Sequence, residues 1–257
     1  MTKSDLPTVL EVCCASADFA VAAEAAGADR VELCDNLVEG GTTPSAGAIA
    51  ASVERLSIPV MVMVRPRGGD FLYSDLEMDV MLRDIAFARG AGARGVVFGA
   101  LDADGTVDQE RVARLVDAAR PLSVTFHRAF DLSRDLDESL EALLDLGVDR
   151  VLTSAGRRAV ADDLSTLERL ARTAAGRLTI LAGGGIRPHN VSAVLAVPGV
   201  REVHIGASRR MPSPMRHRVR GVPMGRAYEP DEYEREEADV GLISEVARGV
   251  RASGGGR

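Results

Sequence analysis

The sequence contains little cysteine. It has three cysteines in 257 residues, and two of them, Cys13 and Cys14, are adjacent, which places them poorly for bridging each other. The sequence therefore offers no disulfide framework. We expect all three thiols to be reduced.

Other absences narrow the class of protein. The sequence has no run of 18 apolar residues, the length that a membrane-spanning helix needs. The first residues, MTKSDLP, lack the order of basic and then apolar residues that is typical of a signal peptide. The net charge of -7 argues against a surface that binds nucleic acid. We therefore predict a cytoplasmic protein with no nucleic-acid or membrane partner.

Apolar runs of strand length recur along the chain, and helical segments separate them. With 46% hydrophobic residues, a chain of this length can bury one large core. Strand and helix alternate throughout, which requires parallel strands joined by crossovers. The predicted strands cover residues 9–13, 30–34, 60–64, 95–99, 123–127, 150–154, 178–182 and 202–206.

Residues that favour helix ends mark most of the connecting segments. The predicted helix starts are Ser16, Pro44 at a first helical position, and the pairs Ser74 with Glu77 and Asp135 with Glu138, which have capping-box spacing. The predicted helix ends are Gly27, Gly147 and Gly176.

A weak internal repeat supports a closed barrel. A helix ending in glycine, a short polar turn and a new buried strand recur as GADRVEL, GARGVVF, GVDRVLT and GVREVHI. Eight such units in about 250 residues match a single-domain (β/α)8 TIM-type barrel, in which chemistry occurs at the C-terminal strand ends. A doubly wound open sheet is the alternative. Against it, no Gly-x-Gly-x-x-Gly follows the first strand, and no linker marks a second domain.

The segment after the eighth strand departs from this repeat. Residues 209–226 are rich in proline, glycine and arginine and are too many for an ordinary loop. We interpret them as a solvated surface or an oligomer contact, or else as a flap over the barrel mouth that attracts anions. An extra helix at about residues 231–248 completes the predicted core of about residues 8–249, and residues 252–257 are expected to be disordered.

Two strands carry a carboxylate and a thiol on one face. Glu11 and Cys13 are two residues apart in the first strand, as are Glu32 and Cys34 in the second, and side chains two residues apart share a face. Because the outer face of a barrel packs against helices, we expect these side chains to point inward and to form a compact patch. Two ionised carboxylates there would be costly unless cations lie close to them.

Other polar side chains occur at the ends of further strands. We expect them to converge with the glutamates and thiols at one mouth of the barrel, either as a functional site or as charges that only satisfy one another. These residues are Arg65, Arg67, His127, Arg128, Thr153, Ser154 and His204.

Glycine-rich turns follow the seventh and eighth strands, where barrels commonly bind phosphate. Residues 183–185 are all glycine and precede a helix expected near Pro188, while residues 206–208 lie opposite. Glycine lets backbone amides approach an oxyanion, but it also serves tight turns, so both interpretations stay open. The candidate anion ligands are Gly184, Gly185 and Ser208.

Several of these motifs, taken in order, resemble the CutC family, which is named for copper homeostasis. They are LEVCC, RVELC with EGGTTPS, RPRGGDF with YSD, VTFHRAFD, RVLTSAG, AGGGIRPHNV, EVH and SPMRHR, between about Leu10 and Tyr233. The resemblance implies a (β/α)8 barrel, a cytoplasmic location, a homodimer or larger homo-oligomer, and copper(I) binding at Cys13 and Cys34. The sequence departs from the family at HIGAS, because serine more often follows this histidine directly.

Copper binding has arguments on both sides. Soft thiolates suit Cu(I), and sulfurs on adjacent strands would form a near-linear pair, with Met61 and Met63 as extra thioether ligands if they face inward. Against copper, the neighbouring glutamates oppose thiolate formation by charge repulsion. The chain also has no Cys-x-x-Cys motif and no Met-rich or His-rich tract.

The alternative is an isomerase-type or lyase-type barrel enzyme that acts on a small anionic or phosphorylated metabolite. A glutamate would act as general base, a histidine as acid or orienting group, and arginines would clamp a carboxylate or phosphate. No organic cofactor is indicated. The catalytic set would be Glu11, Glu32, Arg65 and His127. The substrate-binding set would be Arg67, Arg128, Thr153, Gly184, Gly185, His204 and Ser208.

Overall fold

Eight parallel strands form a closed barrel. The computed structural model describes residues 7–219, 221–222 and 232–254. The strands pair in chain order, and the eighth pairs with the first, which confirms the predicted (β/α)8 barrel. Each strand begins and ends within one residue of its predicted limits. The strands are β1 (Val9–Cys14), β2 (Arg30–Leu33), β3 (Val60–Met63), β4 (Gly95–Phe98), β5 (Ser123–Phe126), β6 (Arg150–Thr153), β7 (Thr179–Gly183) and β8 (Glu202–Gly206).

Helices connect the strands and pack against their outer faces. They are α1 (Ala17–Ala25), α2 (Ala46–Arg55), α3 (Asp75–Gly90), α4 (Gln109–Ala119), α5 (Leu136–Asp145), α6 (Leu164–Ala174), α7 (Val191–Leu195) and α8 (Val240–Gly254). None of these helices, within the described residues, combines the length and apolar character that crossing a membrane would need.

Most of the predicted helix ends are confirmed. The Ser16 side chain accepts a hydrogen bond at the start of α1, and Ser74 and Glu77 form a reciprocal capping box at the start of α3. Glycines end helices where the backbone needs a positive φ, which a side chain would disfavour. These are Gly27 with a φ of 104°, Gly147 with 68° and Gly176 with 70°.

Two expected helix starts differ from the structure. Pro44 precedes α2 and does not open it, because Ser45 is the residue whose side chain caps this helix. Asp135 caps α5 as expected, but Glu138 does not complete a capping box. Instead, Glu138 pairs with Arg134 across 2.8 Å.

The segment directly after β8 is more regular than expected. The strands β9 (Ser208–Pro212) and β10 (Glu234–Ala238) form an antiparallel pair, so the expectation of a loop is wrong for residues 209–212. Arg209 is opposite Glu237 in this pair, and opposite charges on adjacent strands stabilise them.

The last helix is also displaced from its predicted position. β10 occupies part of the helix expected at residues 231–248, and α8 continues to Gly254. Ile243, Val246 and Val250 are buried, so α8 has an apolar face along its length, and the expected disorder is wrong for residues 252–254. The expected loop residues 220 and 223–226, and the tail residues 255–257, lie outside the described residues.

Side chains of the strands alternate between two apolar environments. Outward residues such as Leu10 and Val12 belong to the main core beneath the helices. A smaller cluster inside the barrel contains Cys34, Met61, Met63 and Val97, with Cys13 and Leu37 packed against it. Both methionines therefore face the interior.

Ion pairs cross the interior near the N-terminal ends of the strands. Glu202 Oε2 lies 2.6 Å from Arg30 Nη2 and 2.6 Å from Arg150 Nε. Arg30 also reaches Glu11, with 2.5 Å between its Nε and the carboxylate Oε2. Because these groups are largely removed from water, each charge depends on its partners. We call these four residues the ion layer.

His127 is a buried histidine that stabilises a turn at the end of β5. Its Nδ1 accepts the N–H of Ala129 at 3.2 Å, and its ring lies 4.8 Å from that of Phe71. Burial, and then the charge of Arg65, lower the pKa of His127 to about 3. The imidazole is therefore neutral in the folded protein at neutral pH.

Loss of Glu202 is expected to destabilise the protein. The Glu202→Gln variant leaves Arg150 without its carboxylate and Arg30 with Glu11 alone, so we expect a loss of roughly 3–5 kcal/mol in urea denaturation. The control is Asp79→Asn, which breaks an exposed pair with Arg83 and should change the free energy of unfolding by less than about 1 kcal/mol. Equal losses in the two variants would show that the ion layer contributes no more than a surface pair.

His127 is expected to make stability depend on pH. Below its ordinary pKa of 6.5, the unfolded chain binds a proton that the folded chain excludes down to about pH 3. The free energy of unfolding therefore falls as the pH decreases from about 6.5. Urea denaturation at pH 7 and pH 4.5 should show a smaller fall in His127→Asn than in the wild type, because the Asn oxygen still accepts the Ala129 N–H but takes up no proton. The exposed His189→Asn is the control, and an unchanged fall in His127→Asn would refute the assignment.

Candidate functional site

The two cysteines and two glutamates that the sequence pairs do meet inside the barrel. β1 and β2 are neighbours, and Cys13 is opposite Glu32 in their register. The Cys13 and Cys34 sulfurs are 3.7 Å apart, and Cys34 Sγ lies 3.4 Å from Glu32 Oε2. The compact patch expected from the spacing is therefore present.

His204 joins this patch from β8. In the β1–β8 register it is opposite Glu11, and its Nδ1 lies 2.8 Å from Glu11 Oε1. Its Nε2 is 3.9 Å from Glu32 Oε2. Donor atoms of Cys13, Glu32 and His204 all lie within 4.8 Å of one another, so these three side chains form a group that could hold a metal ion.

The two sulfurs differ in protonation. The hydrogen bond with Cys34 lowers the pKa of the Cys13 thiol to about 5, and His204 reinforces this effect against the opposing effect of burial. The same contact with Cys13, together with burial, raises the pKa of Cys34 well above its usual value. The contact therefore favours loss of the proton from Cys13 over loss from Cys34, despite the neighbouring glutamates.

The two glutamates also differ. Burial raises the pKa of Glu32 to about 8, although the charge of His204 opposes this rise. Burial would likewise raise the pKa of Glu11, but Arg30 and His204 outweigh it and lower this pKa below its usual range. Glu11 is therefore ionised, while Glu32 is largely protonated at neutral pH.

His204 is the cation that these groups share. Burial alone would lower its pKa, but Glu32, Cys13 and Glu11 together raise it well above the usual value. The third cysteine takes no part, because Cys14 points outward into the main core and its pKa is raised by burial. All three cysteines are free thiols, as the sequence predicts.

The predicted arginine clamps Arg65 and Arg67 bond to protein groups around the barrel mouth. Arg65 donates to the carbonyl oxygens of Glu39 and Gly41 at 2.7 and 2.9 Å and to that of Gly69 at 2.9 Å. Arg67 pairs with Glu77 across 2.6 Å. The Arg65 guanidinium thus joins the loops after β2 and β3, whereas that of Arg67 bonds within the segment that leads into α3.

Arg128 and the residues at the end of β6 form a loop contact of their own. The Arg128 guanidinium lies 2.7 Å from Asp131 and 2.7 Å from the Ser154 hydroxyl. The Thr153 hydroxyl also donates to Asp131, at 2.6 Å. Asp131 thus gathers these predicted polar residues around itself.

The glycine turn after β7 lies against this contact, because Gly184 adjoins the side chains of Ser154 and Arg128. The carbonyl of Gly184 accepts the N–H of Val160, and the carbonyl of Gly185 accepts the side-chain amide of Asn190 at 2.9 Å. The helix expected near Pro188 begins at Val191 and has only 5 residues. Ser208 is exposed on β9.

The sequence reasoning missed the residues of the ion layer other than Glu11. Arg30 lies two residues before Glu32, and Glu202 lies two residues before His204. The same period of two that placed the glutamates inside the barrel therefore also places these residues there. Arg150, at the start of β6, carries no such neighbour in its strand.

Two cavities lie away from the thiols. One, of about 500 Å³, is lined by residues that include Phe19 and Arg209, between α1 and the β9–β10 pair. The other, of about 710 Å³, is lined by residues that include Leu178 and Glu202, near the N-terminal strand ends.

Comparisons with known proteins agree with this fold. A family model described as the CutC family matches residues 8–209. A CutC family protein of Mesorhizobium japonicum is 46% identical over 251 residues, which cover 98% of this chain and 97% of that protein. The copper homeostasis protein cutC homolog of Homo sapiens is 47% identical over 232 residues, which cover 90% of this chain and 85% of that protein.

Solved structures also share the fold of this chain. A crystal structure named for the copper homeostasis protein CutC of Streptococcus agalactiae superposes with a TM-score of 0.73 and 34% identity, and covers 77% of this chain and 97% of that chain. The N-(5'-phosphoribosyl)anthranilate isomerase of Pyrococcus furiosus has a TM-score of 0.54 at 15% identity, covers 95% of this chain and 99% of that chain, and shows the fold alone. With a family model that matches most of its length and relatives well above 30% identity, this chain belongs to the CutC family.

Proposed function

We propose that this protein binds Cu(I) through Cys13 and Cys34 and acts in copper homeostasis as a cytoplasmic homo-oligomer. The observation that carries the proposal is the pair of sulfurs, 3.7 Å apart inside the barrel. The relatives named for copper homeostasis support it, and the oligomeric state and location follow the family resemblance.

The chemistry of the donors suits Cu(I). Thiolate and thioether sulfurs are soft ligands that favour this ion over harder divalent cations. Cys13 already has a lowered pKa, so one thiolate is available at neutral pH. The thioether-bearing side chain of Met63 packs in the same inner cluster as Cys34, which surrounds the sulfurs with polarisable and apolar groups.

The backbone geometry favours a metal bridge over a disulfide. Cys13 is paired with Glu32, so Cys34 is offset from it by two residues along the neighbouring strand. With strands about 4.8 Å apart and a rise of about 3.3 Å per residue, their Cα atoms are roughly 8 Å apart. Disulfides require less than about 7 Å, so the two thiols remain available to a metal.

The enzyme alternative has less support. Its clamps for an anionic substrate were Arg65, Arg67 and Arg128, and each of these guanidinium groups is bonded to neighbouring loop residues. A clamp must present free donors to its substrate. The cations that pair with Glu11 are Arg30 and His204, which lie within the barrel.

Replacement of either cysteine is expected to abolish tight copper binding. The wild type should bind one Cu(I) per chain in competition with a strong chelator. Cys13→Ser and Cys34→Ser should each lose more affinity than the roughly 10–100-fold that follows loss of an outer-shell contact, because each removes a soft ligand. The control is Cys14→Ser, whose sulfur lies in the main core, and its affinity should equal that of the wild type. Retention of tight binding in the double variant without Cys13 and Cys34 would disprove the proposal.

A further inference from the structure

We infer that His204 is the third ligand of the copper ion, through its Nε2 atom, and that Glu11 positions it. The inference rests on the proposed function, because it assigns a further residue to the same site. It changes the expected coordination from a two-sulfur pair to a three-coordinate site of two sulfurs and one nitrogen.

The spacing of the sulfurs argues against a linear pair. With metal–sulfur bonds of about 2.3 Å, a linear arrangement would place the two sulfurs about 4.6 Å apart. The Cys13 and Cys34 sulfurs are only 3.7 Å apart, so an ion bound to both at this spacing would be held at an angle. An angle this far from linear leaves one side of the ion open to another ligand.

His204 lies beside one of the two sulfurs, that of Cys13. Its donor atom falls within 4.8 Å of those of Cys13 and Glu32, and imidazole nitrogen is a common ligand of copper. Cys34 is outside this group of three, so binding would draw its sulfur and the imidazole toward a common ion. A carboxylate is a harder ligand than either, and Glu32 is therefore the weaker candidate for Cu(I).

The ion layer fixes the orientation of the imidazole. Nδ1 of His204 lies 2.8 Å from Glu11 Oε1, and the other oxygen of Glu11 is held by Arg30 at 2.5 Å. A metal-binding histidine commonly donates its second ring N–H to a carboxylate in this way, which leaves the opposite nitrogen to the metal. Binding of the ion would displace the proton that Nε2 carries in the cationic imidazole and the proton of the Cys34 thiol, and both would pass to solvent. Glu202 supports Arg30 in turn, so the arrangement is anchored across the barrel.

An unpartnered atom beside the sulfurs also indicates a missing group. Among the described residues, Glu32 Oε1 is buried and has no hydrogen-bond partner. Buried polar atoms in folded proteins are nearly always paired with protein, water or an ion. The side chains of the site thus leave one polar position for something that they do not themselves supply.

The test is His204→Asn, compared with the wild type by X-ray absorption at the copper edge. The Asn amide can still donate to Glu11 in place of Nδ1, but it has no atom at the position of Nε2. We expect two sulfurs and one imidazole nitrogen around copper in the wild type and no imidazole signal in the variant. The affinity should fall by at least about 10-fold, the lower limit for loss of an outer-shell contact. The exposed His189→Asn is the matched control and should leave both the spectrum and the affinity unchanged.

A second variant tests the positioning role of Glu11. Glu11→Gln should keep the imidazole signal but lower the affinity by about 10–100-fold, because His204 stays close while its orientation is no longer fixed by a charge. Arg30 retains Glu202 as a partner in this variant, and circular dichroism would confirm that it folds. An affinity equal to that of the wild type would show that Glu11 does not position His204.

The results separate this inference from the proposed function. Copper held by two sulfurs alone in the wild type, or a His204→Asn spectrum identical to that of the wild type, would overturn the inference and leave the proposed function intact. Copper binding that does not depend on the two cysteines would overturn both.

Discussion

The environment of one carboxylate, that of Glu11, connects the whole interior of the barrel. It lies between Arg30 at 2.5 Å and His204 at 2.8 Å, and its side chain has no exposure to water. A carboxylate without water stays ionised only where cations and hydrogen-bond donors surround it. Arg30 belongs to the ion layer, and His204 lies beside the thiols. This single charge therefore joins the N-terminal end of the barrel to the site near its other end.

Glu32 shows what the same residue type does without such partners. It occupies the neighbouring strand and faces the same interior, yet no arginine reaches it among the pairs of the described residues, and its pKa rises to about 8. Two glutamates therefore hold opposite protonation states because their surroundings differ. The same principle separates Cys13 from Cys34. The site contains two glutamates and two cysteines, and within each pair the surroundings shift the two pKa values in opposite directions.

Local pattern was enough to predict the barrel and the inward face of its first two strands. Alternation placed Glu11, Cys13, Glu32 and Cys34 on one face, because side chains two residues apart must share a side. It could not identify their cations, since that depends on the stagger between strands that are distant in sequence, as Glu11 and His204 are. The β9–β10 pair was missed for a related reason. Its strands are short and charged, and the residues that pair between them lie 22 to 30 positions apart in the sequence.

The contacts of Arg65 have a consequence for the side from which an ion would reach the proposed site. Its guanidinium group binds carbonyl oxygens from two different loops beside Cys34, and Cys34 itself is only 1% exposed. Cys13, on the neighbouring strand, is only partly buried, so the two sulfurs of the proposed site differ in their access to solvent. An ion would therefore meet Cys13 first, and the Arg65 contacts would close the proposed site on the side of Cys34.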